Sequence, residues 1–248
     1  MINKIYLSPS NQDGNMYAGN ITNECDNCNR IADAAKSALE RCGFTVKKAP
    51  KGQAMSTSIA ESNAWGADLH IPIHTNAFDT HASGTVVFVY STAAENMKYA
   101  TPIYNAVQAA APGTTDYGVR ANPGLSELCN TNAISVYIEV DFHDNPDIAP
   151  WLLKNADVVG EAIAQGVCNA CGKTYKPKIA TEPITQQELS DADYAEIERQ
   201  IRKDYEKKAN EYIAHGYKEI PKRDYAGLSD IGYNPLVLSY FFKKLGGG

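Results

Sequence analysis

The side chains with the most chemistry in this 248-residue chain sit in 68-DLHIPIHTNAF-78, where a short apolar run leads through His74, Thr75 and Asn76 into a polar loop. Alternation at period two puts His70, Pro72 and His74 on one side of a strand and Leu69, Ile71 and Ile73 on the other. An imidazole at the carboxyl end of such a strand stands where open α/β sheets bind ligands, and where a metal or a catalytic base is useful. A hydrolytic zinc centre needs imidazole and carboxylate ligands, one position open to water, and a separate carboxylate to take the water's proton. His74 and Glu24 carry suitable donor atoms, and Glu139, near the end of another β-branched run, is the candidate general base. No clean third ligand follows. His70 lies four extended residues, roughly 13 Å, from His74; His81 and His143 would have to fold in from loops, and the amides of Asn11 and Gln12 are weaker donors. On residue chemistry alone, a mononuclear metal hydrolase and a non-catalytic or non-metal α/β domain remain equally open.

The six cysteines include two CxxC pairs, Cys25–Cys28 and Cys168–Cys171, which could make a four-thiolate zinc site or a redox motif. Both pairs fall in or beside expected helices without glycine-rich knuckles, which favours plain buried thiols.

These residues need elements to carry them. Residues 3–8 read as a first strand whose carboxyl end delivers the polar tip Ser10, Asn11, Gln12 and Asp13. Asn23 or Thr22 can cap a helix with Glu24 in its first turn, where the helix dipole favours a negative charge, and Cys28, Ile31, Ala35 and Leu39 recur at helical spacing. Strands are expected at 44–46, 69–74, 85–90 and 134–140, and helices at 56–65, 93–110 and 148–167, with 114–133 a long irregular segment that can wall a substrate site. This alternation predicts an α/β fold, a twisted, mostly parallel (mixed) sheet flanked by helices. Glu24, His74 and Glu139 then all approach one edge of the sheet.

The bulk properties exclude some functions. A formal net charge of -6 argues against nucleic acid as a partner, and no apolar run is long enough for membrane insertion. The start, MINKIYLSPS, lacks the regions of a secretory signal, which predicts synthesis in a cytoplasm. Residues 173–185 read as a linker. Beyond it, 186–248 reads as a small, mainly helical module, beginning with an amphipathic helix whose stripe is Tyr194, Ile197, Ile201, Tyr205, Lys208 and Tyr212.

The series 7-LSPS-10, Glu24 before a helix, Asn63, 68-DLHIPIHTNAF-78, Gly84, 117-YGVR-120 and 136-VYIEVDFHDN-145 resembles the catalytic domain of zinc-dependent N-acetylmuramoyl-L-alanine amidases. The resemblance spans residues 1–172. It implies cleavage of the amide between the lactyl group of N-acetylmuramic acid and L-alanine in peptidoglycan. It also implies Glu24 and His74 as zinc ligands and Glu139 as the catalytic carboxylate. The family usually has a histidine just after the first strand; here Asn11 falls in that slot, with Gln12 beside it, so both become candidate ligands. Asn76 and Arg120 are candidate substrate-binding residues. The 186–248 module is expected to bind the wall or to make a homo-oligomer. With a wall substrate and no export signal, the enzyme would reach peptidoglycan after release, as a phage-type lysin or a bacterial lysis enzyme. Two rivals stand beside this reading: an inactive peptidoglycan-binding protein, and a zinc peptidase acting on the stem peptide.

Overall fold

The computed structural model describes residues 2–178 and Arg199. Within 2–178, a compact unit, the chain alternates strand and helix: β1 (Lys4–Pro9), α1 (Glu24–Arg41), β2 (Thr45–Lys48), α2 (Met55–Trp65), β3 (Leu69–Asn76), β4 (Val86–Val89) and α3 (Ala94–Ala110). It continues with β5 (Val119–Ala121), α4 (Ser126–Cys129), β6 (Ile134–Ser135), β7 (Tyr137–Phe142), α5 (Ala149–Lys154) and α6 (Ala156–Cys171). The strands form one mixed sheet in the order β2-β1-β3-β7-β4-β5, with β6 also paired to β3. All pairings are parallel except β4 with β7.

The connections β1–α1–β2 and β2–α2–β3 cross the sheet in opposite directions. Right-handed crossovers therefore send α1 and α2 to opposite faces. On the α1 side Ile5, Leu7, Leu69, Ile71, Ile73 and Ile138 are fully buried against Ile31, Ala35 and Leu39 of α1 and Val159 and Ile163 of α6. Two glycines let α6 lie close between its neighbours. A Cβ on Gly160 would come within 2.5 Å of the Ala34 Cβ in α1, and one on Gly166 within 2.5 Å of the Ile103 Cα in α3.

Alternation sends the other set of strand side chains, Tyr6, Ser8, His70, His74, Tyr137 and Glu139, to the opposite face. That face is polar, and the site lies on it.

Three expectations change in detail. The 114–133 segment is not wholly irregular: it holds β5 and the single turn α4. The strand expected over 134–140 is split into β6, paired with β3, and β7, and the split falls at Val136, whose N–H donates to the His70 carbonyl. The last helix is two, α5 and α6, broken at Asn155, whose side chain donates to the Trp151 carbonyl and satisfies the first helix's end. Residues 173–178 carry no regular structure. The rest of the expected linker and the 186–248 module with its helices lie outside the described residues, apart from Arg199, which is helical and exposed.

Candidate active site

The site starts from a register. Parallel pairing of β3 with β7 sets Ile73 beside Ile138 and His74 beside Glu139, so an imidazole and a carboxyl share one face on adjacent strands. Glu24 comes from a third element. Asn23 caps α1 by accepting the Asp26 N–H at 2.8 Å, which fixes Glu24 as the first helical residue, buried at 1% exposure. Its Oε1 lies 2.8 Å from His74 Nδ1. Burial alone would raise the Glu24 carboxyl, but the hydrogen bond and charge of His74, with Asn15 and Ser10, hold it below its ordinary value. Burial likewise pulls His74 down. Hydrogen bonding to Glu24 and the charges of Glu139, Glu24 and Glu127 outweigh it, and His74 is raised.

The loop after β1 supplies the next group. Its backbone is tied to the start of α1, with the Glu24 N–H donating to the Asn15 carbonyl and the Cys25 N–H to the Gln12 carbonyl. This brings the Gln12 side-chain amide to 3.4 Å from His74 Nδ1. Asn15 bridges the two acidic and amide groups, donating to Gln12 Oε1 and Glu24 Oε2 at 2.8 Å each. Asn11 is exposed at the mouth. Thus of the two amide candidates it is Gln12 that meets His74.

Glu139 is the odd member. Its Oε2 is buried with no hydrogen-bond partner among the described residues, a costly arrangement unless a cation, water or substrate meets it. Burial, and then the charge of Glu24, push its carboxyl up to about 8 against the pull of His74. Tyr137, two residues earlier on the same face, stacks on the His74 ring at 4.6 Å between centroids and restricts its orientation. Burial, followed by the charges of Glu139, Glu127 and Glu24, keeps the Tyr137 phenol protonated.

A cavity of about 300 Å³ opens beside His74, while Glu24 and Glu139 lie behind its lining. Ser10, Gln12, His74 and Tyr137 line it, and Leu125, Ser126 and Glu127 form one wall. The 114–133 segment therefore does border the site. Asn63 of α2 holds it there, donating to the Asn130 carbonyl and accepting the Asn132 N–H.

The remaining candidates lie elsewhere. Asn76 turns its Oδ1 to the Ala77 N–H. Arg120, on β5, donates to the Tyr117 carbonyl and lies over the Tyr117 ring, away from the residues that line the cavity. His143 bonds to Thr75 and stacks on Tyr17, and His81 is exposed. His70 is buried between Ser62 at Nδ1 and Glu127 at Nε2. None of the three is a third ligand beside His74.

Among the described residues no three His, Cys, Asp or Glu side chains converge as a metal site. The four-thiolate alternative has no assembled site for the same reason. Cys28 packs in the core, and the thiol close to Cys168 is Cys42; burial, and then the contact with Cys42, push Cys168 up to about 12. A metal at His74 and Glu24 would therefore take its third protein donor from an amide. Two strong donors in contact, an amide within reach and an unpartnered carboxyl oxygen next to them fit a metal ion with water.

Tyr137, Asn15 and Glu127 were not visible as site residues in the sequence. Tyr137 had a signal, since it shares parity with Glu139. Asn15 and Glu127 lie in aperiodic segments and had none.

The architecture has solved relatives. An N-acetylmuramoyl-L-alanine amidase from Clostridium difficile 630 superposes with a TM-score of 0.63 at 20% identity, over 69% of this chain and 97% of that one. The amidase AmiC2 of Nostoc punctiforme gives 0.61 at 16% identity, over 68% and 97%. The catalytic domain of CwlV from Bacillus (Paenibacillus) polymyxa gives 0.59 at 16%, over 70% and 100%. At such identities the likeness is one of fold. No curated protein matches the chain. The sequence profile of the N-acetylmuramoyl-L-alanine amidases, however, matches residues 10–169, well over half the chain, and the protein belongs to that family.

Proposed function

We propose that this protein is a zinc-dependent N-acetylmuramoyl-L-alanine amidase acting on peptidoglycan, with Glu24, His74 and the Gln12 amide as metal donors and Glu139 as the proton-transfer carboxylate. The observation that carries this reading is the pairing of His74 with Glu139 across β3 and β7, with Glu24 on the same imidazole and Glu139 Oε2 unpartnered. When bound, zinc supplies positive charge that polarises the scissile carbonyl and makes water a better nucleophile near neutral pH. Glu139 accepts the proton of the attacking water and returns it to the leaving alanine nitrogen. Its raised carboxyl suits a group that must hold and release a proton near neutrality. Glu24 and Tyr137 fix the His74 ring from its Nδ1 edge and its face, and Asn15 fixes Glu24 and Gln12 together.

The neutral amide where the family usually has histidine favours one second reading, a wall-binding protein without turnover. Digestion of purified peptidoglycan separates the two. The amidase reading expects free N-terminal L-alanine and muramic acid with its lactyl group intact, with about one zinc per chain by elemental analysis, both lost in His74→Ala. New termini inside the stem peptide would instead indicate the zinc peptidase. Absence of both zinc and products after zinc supplementation, with wall binding retained, would overturn the amidase reading.

A further inference from the structure

Glu127 has no part in the mechanism above, yet it is among the most enclosed charged groups of the cavity, at 3% exposure. Three elements hold it. Ser8 of β1 donates its hydroxyl to Glu127 Oε1, and His70 of β3 reaches the same oxygen from Nε2 at 3.1 Å. Ser62 of α2 lies 2.9 Å from the other ring nitrogen. A neutral imidazole accepting from Ser62 at Nδ1 donates from Nε2, so the chain Ser62–His70–Glu127 runs in one direction. The Tyr6 ring stacks on His70 at 5.4 Å and fixes its plane. Both hydrogen bonds end on Oε1. Among the described residues no partner stands at Oε2, the oxygen left for a ligand in the cavity that Glu127 lines.

Among the described residues the cavity has no Lys or Arg in its lining. A carboxyl this enclosed, with His70 on one oxygen and no Lys or Arg at the other, is best met at its open oxygen by a cationic donor. His74 and Tyr137 line the same cavity, so a ligand held by Glu127 lies within reach of the reacting groups. Leu125, Met55 and Pro9 supply apolar wall on the way to it, which suits an alkyl chain ending in a charge.

We propose that Glu127, held by Ser8 and His70, is a recognition site for an alkylammonium group of the substrate, the side-chain amine of a diamino acid in the stem peptide. The proposal rests on the amidase reading for the identity of the substrate, not for the cation preference. Glu127→Gln is the informative variant, because Gln keeps an oxygen that can accept from Ser8 and His70 and replaces the open anionic oxygen with an uncharged NH2.

The full-length protein is given two soluble muramyl peptides that differ only in whether the diamino acid's side-chain amine is free or N-acetylated. Cleavage and calorimetric binding are both measured. Wild type favours the free amine by at least about tenfold, the size of one charge-assisted hydrogen bond, and mainly through KM. In Glu127→Gln the preference falls to within about twofold, whatever the change in rate common to both peptides. A merely structural Glu127 would lower both substrates together and leave the preference in place. That result, or a wild type that binds the two peptides equally, overturns the proposal and leaves the amidase reading standing. Failure of wild type to cut either peptide overturns the amidase reading, and calorimetry alone then decides the cation preference in the same two variants.

Discussion

His70 and His74 stand four residues apart on the same face of β3, both buried, and differ in what other elements bring to them. At His70 each ring nitrogen has a side-chain partner, Ser62 from α2 and Glu127 from α4. At His74 the contacts from Glu24 and Gln12 converge on a single nitrogen, and Glu139 beside it has an orphaned oxygen. A histidine satisfied on both sides is a strut. One with its contacts crowded onto one nitrogen, next to an unsatisfied carboxyl, has bonding capacity left over, and the proposed chemistry uses it. The strand makes the two equivalent, and the loops and helix ends make them different.

Substitutions sharpen or break this contrast. The largest expected effect is on turnover: Glu139→Gln lowers kcat by about a hundred- to ten-thousand-fold with zinc content unchanged, whereas His74→Ala loses both, as read by product formation and elemental analysis. Zinc lost in Glu139→Gln would make that residue a ligand and erase the division of labour. His70→Leu is expected to act on stability instead. It strands Glu127 and Ser62 and costs about 3 kcal/mol in denaturant unfolding, while the protein still retains zinc. Loss of zinc in folded His70→Leu would show the two histidines to be one centre.

Gln12→His tests the amide. Imidazole is the better zinc donor, so zinc retention against a chelator should rise by about tenfold or more, the scale on which changes around a metal act. No change would remove Gln12 from the donor set. Away from the site, Gly160→Ala should cost about 1–3 kcal/mol, since the added methyl meets α1 backbone and Ala34, with zinc and product chemistry untouched.

The smallest effect concerns Asp68, just before β3. Burial would raise its carboxyl, but the backbone N–H groups of Lys4 and Asn3, both donating to Oδ2 at 2.8 Å, hold it below its ordinary value. A lowered carboxyl contributes stability that is present above its unfolded pKa and is lost as pH falls through the folded one. Asp68→Asn should therefore cost up to about 1 kcal/mol at neutral pH and flatten the acid end of the unfolding curve, without separating the two histidines.

Much of the frame could be read from residue order. Alternation in 69–74 placed His70 and His74 together, Asn23 and the Cys28, Ile31, Ala35, Leu39 spacing gave α1 and put Glu24 at its start, and the alternation of elements gave the mixed sheet. These are local facts, set by periods of 2.0 and 3.6 residues and by capping chemistry within a few positions.

Only the tertiary structure decided which side chains meet. The register that sets His74 against Glu139, the loop that brings Gln12 and not Asn11 to the imidazole, and the turn that carries Glu127 to His70 across 57 positions of chain depend on long-range pairing. No local period encodes such contacts. They follow from burying the Ile and Leu face of the sheet under α1 and α6, which leaves the opposite, polar face to find its own partners.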